Sequence, residues 1–201
     1  SRDFFTKNKK SKWITNNHAI KRAHLLRSTY NCILSTSKTI NDDNSRLNCR
    51  IDGLEKKSPS IAIIDRDFKL KKNIKILKKK KKRNIFLFTT KENKSKEKYL
   101  KSRGFKIIKL KKMNNRNDYK SVFNKLRKLG MTRILVESGI KFLNFLLLEK
   151  FVHNLFIFKS HHSLKKNGTN YLDSKFSKNL NLTNKIDVNL FGDLLYKIRL
   201  K

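Results

Sequence analysis

Two stretches of the chain carry residues suited to gripping an anion. The first is Leu135-Val136-Glu137-Ser138-Gly139, an apolar run that ends in a carboxylate and closes on a glycine. Read as a strand running straight into a helix, it places Gly139 where backbone can approach a ligand. The N–H groups that follow can then hold an anion at the helix start. An ordinary strand-to-helix turn reads the same way, and the run is neither a GxGxxG fingerprint nor a P-loop. The second stretch is 37–50, a dense polar segment with Arg46 and Arg50 that follows the buried run NCILSTS. A polar loop at the carboxyl end of a buried strand is where α/β sheets bind ligands, although a solvated surface loop has the same composition. Asp42 and Asp43 are adjacent carboxylates without a further carboxylate or histidine cluster at metal spacing, which disfavours a cation site. His161 and His162 lack a Cys or carboxylate pattern and read as a loop pair rather than a zinc site. The zinc-deaminase signature and the nucleophile elbow are both absent.

The elements that must position these residues are legible from periodicity. Residues 16–27 read as a helix capped by Asn16 or Asn17, with Ala19, Ile20, Ala23 and Leu26 on one face. Short apolar runs at 31–37, 60–65, 84–90, 105–110, 133–137 and 152–160 read as strands. Between the second and third lies a lysine-dense stretch, 69–83, read as an exposed loop with a short edge strand. Helices are predicted over 94–103, closed by Gly104, and over 118–129, where Tyr119, Val122, Phe123, Leu126 and Leu129 keep the helical period before Gly130. A third, 140–149, is apolar nearly all round and should be deeply buried. Residues 163–185 read as loop, and the segments flanking Gly192-Asp193 as a closing β-hairpin. Strands alternating with helices argue a mostly parallel sheet with helices on both faces. No internal repeat or domain linker is visible, so 1–201 reads as one domain.

Lys and Arg number 51 against 15 Asp and Glu, a formal charge of +36. A basic field attracts polyanions and phosphates alike. The lysines are spread over nearly every surface rather than gathered on one face, and Lys, Asn and Ile are abundant while Gly is 6 and Pro is 1. That distribution fits a coding bias better than a nucleic-acid footprint, and the aromatics sit within apolar runs rather than interleaved with lysines. Cys32 and Cys49 form neither a disulfide framework nor a metal pair, which suits a reduced, cytoplasmic setting. No apolar run approaches the length of a membrane span.

Several segments taken in order carry a resemblance. Ser11-Lys12-Trp13-Ile14-Thr15 precedes a helix ending Leu25-Leu26-Arg27. Then come Thr39 to Arg50, matching T-[VI]-x-x-D-[DN]-P-x-L-x-x-R with Ser45 in place of the proline, a strand ending Ile64-Asp65, the turn Val136-Glu137-Ser138-Gly139, and the terminal Gly192-Asp193-Leu194-Leu195-Tyr196. This order and spacing resemble the riboflavin-biosynthesis pyrimidine reductase, the C-terminal half of the bifunctional deaminase-reductase. The resemblance implies a dihydrofolate-reductase-like α/β fold and NADPH-dependent reduction of the ribosyl group of 5-amino-6-(5-phosphoribosylamino)uracil to ribityl. It places Ser11, Arg27, Leu47, Arg50 and Glu137 at substrate-contacting positions, with Glu137 nearest the chemistry. It places Trp13, Thr39, Asp43, Gly139, Ile140, Lys141 and Phe142 at cofactor-contacting positions. It further implies a homodimer, and a deaminase domain upstream of Ser1, with most of the reductase's own first strand missing. Arg66 stands where the family commonly has a small cofactor-contacting residue. A reductase of the related diaminopyrimidine on the same fold, or a non-catalytic basic RNA-binding domain, stays open at this point. A dihydrofolate reductase proper is disfavoured, because residues 16–27 contain no acidic side chain to face a pterin.

Overall fold

The structure is a computed structural model that describes residues 1–3, 5–11, 13–77, 83–171, 182 and 184–200. In chain order the elements are β1 (Phe5–Asn8), α1 (Asn17–Ser28), β2 (Cys32–Thr36), α2 (Ser37–Asp43), β3 (Ser60–Ile64) and β4 (Ile85–Thr89). Then follow α3 (Lys94–Ser102), β5 (Phe105–Lys109), α4 (Arg116–Lys128), β6 (Ile134–Val136), α5 (Ile140–Leu148), β7 (Asn154–Lys159), β8 (Gly168–Tyr171) and β9 (Leu194–Arg199). Packing divides the chain into two compact units, residues 24–139 and residues 1–23 with 140–201.

The unit 24–139 is built on a five-stranded sheet in the order β5-β4-β3-β2-β6. Every pairing in it is parallel. Strands covered on both faces must be apolar on both faces, and Ile33, Leu34, Ile61, Ile63 and Leu87 are fully buried. The strongest helix prediction holds: Tyr119, Val122 and Leu126 of α4 are buried. Asn115 and Asp118 form a capping box ahead of it, and Gly130 at φ 80° ends it. The lysine-dense stretch departs from its reading. Its described part contains no strand, and Leu70, Ile74, Ile76 and Leu77 plug the core. The cause is buried Asp65, whose carboxylate accepts the N–H groups of Lys69 (2.7 Å) and Leu70 (2.9 Å). That turn folds the segment back so that its apolar side chains point inward and its lysines outward. Residues 78–82 lie outside the described residues. The polar stretch after β2 is also not a loop throughout. It begins as α2, because the Thr36 hydroxyl caps the N–H of Thr39 and Ile40 is buried.

The unit formed by 1–23 and 140–201 holds two antiparallel pairs, β1 with β8 and β7 with β9. β1 and β8 are strands where the sequence reads as unstructured. Gly168 lets them approach closely, since a Cβ there would meet the Phe5 ring at 2.2 Å. Residues 172–181 of the predicted loop lie outside the described residues. The closing turn at Gly192-Asp193 forms, with Leu190 bridged to Asp193. β9 takes β7 as its full partner, while the arm before the turn adds the Lys185–Tyr196 bridge, an N–H from Ile186 to Leu195 and one from Lys197 to Asn184. Helix α5 is less buried than its composition implies: only Leu146 is fully covered and Leu148 is 80% exposed. A helix buries the stripe facing its neighbours, and an all-apolar sequence does not widen that stripe.

Asn16 is the cap of α1, accepting the N–H of Ala19 at 3.0 Å. Its own N–H donates to buried Asp193 at 2.7 Å, and the same carboxylate meets the His161 ring at 3.1 Å. Burial raises the Asp193 pKa, but the hydrogen bonds from Asn16, His161 and Ser160 outweigh it and hold the group below its ordinary 3.8. A depressed folded-state pKa contributes stability that is complete above the unfolded value and is lost as pH falls through the folded one. Unfolding free energy should therefore drop as pH falls through and below the ordinary carboxylate range, and drop less in Asp193→Asn. Parallel urea titrations of the two proteins across that range check this; equal slopes would contradict it.

Candidate active site

The last turn of α1 projects His24 and Arg27 from one face, three residues apart. Arg27 makes a two-pronged ion pair with Glu137, Nε to Oε1 and Nη2 to Oε2, both at 2.7 Å. Its third nitrogen, Nη1, donates to the carbonyl of Asn48 at 3.0 Å. Glu137 follows β6, and its N–H donates to Leu34 of β2 at 3.0 Å, so the parallel ladder itself fixes where the carboxylate stands. The pair is partly screened, with side chains 16% and 28% exposed.

Arg50 comes to the same place by another route. Its Nε and Nη2 lie 3.1 and 2.9 Å from His24 Nε2. His24 Nδ1 lies 2.9 Å from the Asn48 carbonyl oxygen, which can only accept. The proton is therefore assigned to Nδ1, and Nε2 carries the lone pair that accepts from Arg50. Burial, with Arg27 and Arg50 close by, lowers the His24 pKa to about 4, so the ring is neutral at physiological pH. Arg50 itself is exposed at its outer edge. Burial and its neighbours Arg27 and Arg46 lower its pKa, yet a guanidinium keeps its charge. Beneath the cluster, Arg83 donates to the carbonyls of Leu47 (2.6 Å), Pro59 (3.2 Å) and Arg46. Burial, reinforced by Arg27, lowers the Arg83 pKa to about 10. Arg83 thereby clamps the irregular segment in which Leu47 adopts φ 46°.

The structure thus brings Arg27, Arg50 and Glu137 together. Leu47 is packed in the core, so only its backbone can face a ligand. Thr39 joins the turn after β6: its hydroxyl accepts the Gly139 N–H at 3.0 Å and sits 2.9 Å from that of Thr36. Gly139 is exposed, and a Cβ there would meet only Thr39 Oγ1, at 3.8 Å. Asp43 is exposed in the last turn of α2. Ser11, Trp13, Ile140, Lys141 and Phe142 belong to the other unit. There the Ser11 hydroxyl accepts the N–H of Trp13 at 3.2 Å, and Trp13 is 51% exposed, a surface ring rather than a core one. Ile140, Lys141 and Phe142 form the first turn of α5, which holds no acidic residue. Arg66 is exposed beside Asp67. His24, Asn48 and Arg83 are participants the sequence reading does not single out. The i, i+3 spacing of His24 and Arg27 is the signal that marks the first of them.

The family model described as the RibD C-terminal domain matches residues 4–160. The Aquifex aeolicus riboflavin biosynthesis protein RibD is 32% identical over 148 residues, covering 74% of this chain and 40% of that protein. Among solved structures, Acinetobacter baumannii RibD matches with a TM-score of 0.74 at 16% identity, over 99% of this chain and 55% of that one. The Saccharomyces cerevisiae riboflavin biosynthesis reductase Rib7 matches with a TM-score of 0.74 at 22% identity, over 98% of this chain and 84% of that one. Thermotoga maritima diaminohydroxyphosphoribosylaminopyrimidine deaminase/5-amino-6-(5-phosphoribosylamino)uracil reductase gives 0.72 at 20% identity, over 98% and 53%. At these identities the structural likeness establishes the fold, a dihydrofolate-reductase-like one. The chain spans about half the length or less of the RibD proteins it matches.

Proposed function

The chain belongs to the RibD C-terminal domain family, and from that premise we propose that it reduces the ribosyl group of 5-amino-6-(5-phosphoribosylamino)uracil to ribityl, with NADPH as the reductant. The observation that carries the reading is the convergence of Arg27, Arg50 and Glu137 on one spot, with the outer edge of Arg50 left open to solvent. Permanent guanidinium charges suit a sugar phosphate. The nitrogens of Arg27 are already engaged by Glu137 and Asn48. Arg50 is then the direct anchor, while Arg27 adds positive potential and holds Glu137 in place.

NADPH, when bound, supplies the hydride that reduces C1′ of the opened ribosylamine. The residues present fit an anionic dinucleotide. In the unit 24–139, Gly139 is exposed and Thr39 orients its turn; in the other unit, taken by itself, the first turn of α5 carries Lys141 and no carboxylate. Trp13 supplies an exposed flat ring in its own unit. Glu137, fixed by its two bonds to Arg27, orients the reacting end of the substrate, and Ser11 lies at a further substrate position. The same reading carries a homodimer and, as in the bifunctional Thermotoga maritima relative, a deaminase activity alongside the reductase.

Loss of NADPH absorbance, measured with the deaminated and the diamino substrates in parallel, tests the reading. Turnover of the deaminated compound is expected. Turnover of the diamino compound alone would move the assignment to the related reductase, and oxidation with neither would overturn it.

A further inference from the structure

Resting on the reading above, we propose that His24 is a positioning residue: it holds the Arg50 guanidinium in the orientation that receives the substrate phosphate. Two guanidinium groups, those of Arg27 and Arg50, converge on one small region, and their mutual repulsion pushes them apart. Between them the structure places a buried imidazole, 4% exposed. Its Nε2 accepts from both Nε and Nη2 of Arg50. Its Nδ1 donates to the Asn48 carbonyl, the same oxygen that receives Nη1 of Arg27. One neutral ring and one backbone oxygen thereby lock both arginines in register without a second carboxylate.

A carboxylate in place of His24 would also hold Arg50, but it would neutralise the charge the phosphate needs. A neutral acceptor orients the guanidinium and leaves its full charge facing outward. Among the described residues no other group is bonded to the Arg50 side chain, the residue is exposed, and the two bonds to His24 leave Nη1 for an incoming anion. Pre-orienting a donor fork removes the side-chain ordering cost from the binding step.

Two near-isosteric variants separate this role from simple core packing. The amide of His24→Asn reaches the Nδ1 position, keeping a donor to Asn48 but no acceptor for Arg50. The amide of His24→Gln reaches the Nε2 position and keeps the acceptor. The expected result is a rise in KM for the phosphorylated substrate of about 10-fold in His24→Asn with kcat changed less than about twofold, and recovery to near wild type in His24→Gln. In an Arg50→Ala background His24→Asn should add nothing further, because its effect passes through Arg50. If both variants raise KM alike, or if the effects of His24→Asn and Arg50→Ala multiply, the positioning role is wrong while the phosphate anchor stands. If Arg50→Ala itself leaves KM unchanged, the anchor fails and the inference falls with it.

Discussion

Arg50→Ala is expected to raise KM for the phosphorylated substrate by roughly 10- to 100-fold, with kcat changed less than about threefold. The magnitude follows from the loss of one charged hydrogen bond, which contributes about 1.5–3 kcal/mol. The split follows from geometry. In the proposed substrate the phosphate is not among the reacting atoms, so the contact is equally strong before and during the chemical step, and a uniform contact appears in KM. Arg50→Lys should recover little. An ammonium is a single point of charge that cannot rest on His24 and present a second planar edge at once. Steady-state kinetics on the two variants checks both statements, and a KM within twofold of wild type in Arg50→Ala would contradict them.

The second large effect is on stability. Glu137→Gln removes the only carboxylate that is bonded to Arg27 among the described residues, and leaves Arg27 close to Arg50 and Arg83 without that counter-charge. Removing one partner of a largely covered ion pair strands the other. With the side chains 16% and 28% exposed, a loss of about 3 kcal/mol is expected, lowering Tm by roughly 5–12 °C. The double variant Arg27→Met, Glu137→Gln should recover part of that loss, since it leaves no stranded charge. Calorimetry on the three proteins gives the answer. An unchanged Tm in Glu137→Gln would show that solvent already screens the pair.

What could be read from the sequence, and what could not, has a physical pattern. β2, β3 and β4 are short apolar runs because both their faces are covered, and such runs stand out against a lysine-rich background. α4 announces itself through its period and the glycine that ends it. β1 (Phe5–Asn8) and β8 (Gly168–Tyr171) are short strands of mixed polarity that, among the described residues, pair with each other alone, so no hydrophobic pattern marks them. In the stretch 69–77, Leu70, Ile74, Ile76 and Leu77 are hidden among lysines, and it is the Asp65 carboxylate that makes the turn which buries them. The same contrast holds at the site. Arg27, Arg50 and Glu137 were legible because they sit in recognisable motifs. His24 reads as one more residue of a polar helix, and Arg83 as the end of a lysine run. Their roles depend on partners that are distant in the chain, Asn48 and Arg50 for one, the carbonyls of 46, 47 and 59 for the other.

The account stands on a guanidinium edge that binds the phosphate tail of a ribosylaminopyrimidine beside Glu137. The most direct measurement compares kcat/KM of NADPH oxidation for the phosphorylated substrate and for its dephosphorylated counterpart, in wild type and in Arg50→Ala. The prediction is a preference for the phosphorylated compound of about 100-fold or more in wild type that shrinks at least tenfold when Arg50 is removed. A wild-type enzyme that turns over both compounds equally well, or a preference that survives intact in Arg50→Ala, would contradict it.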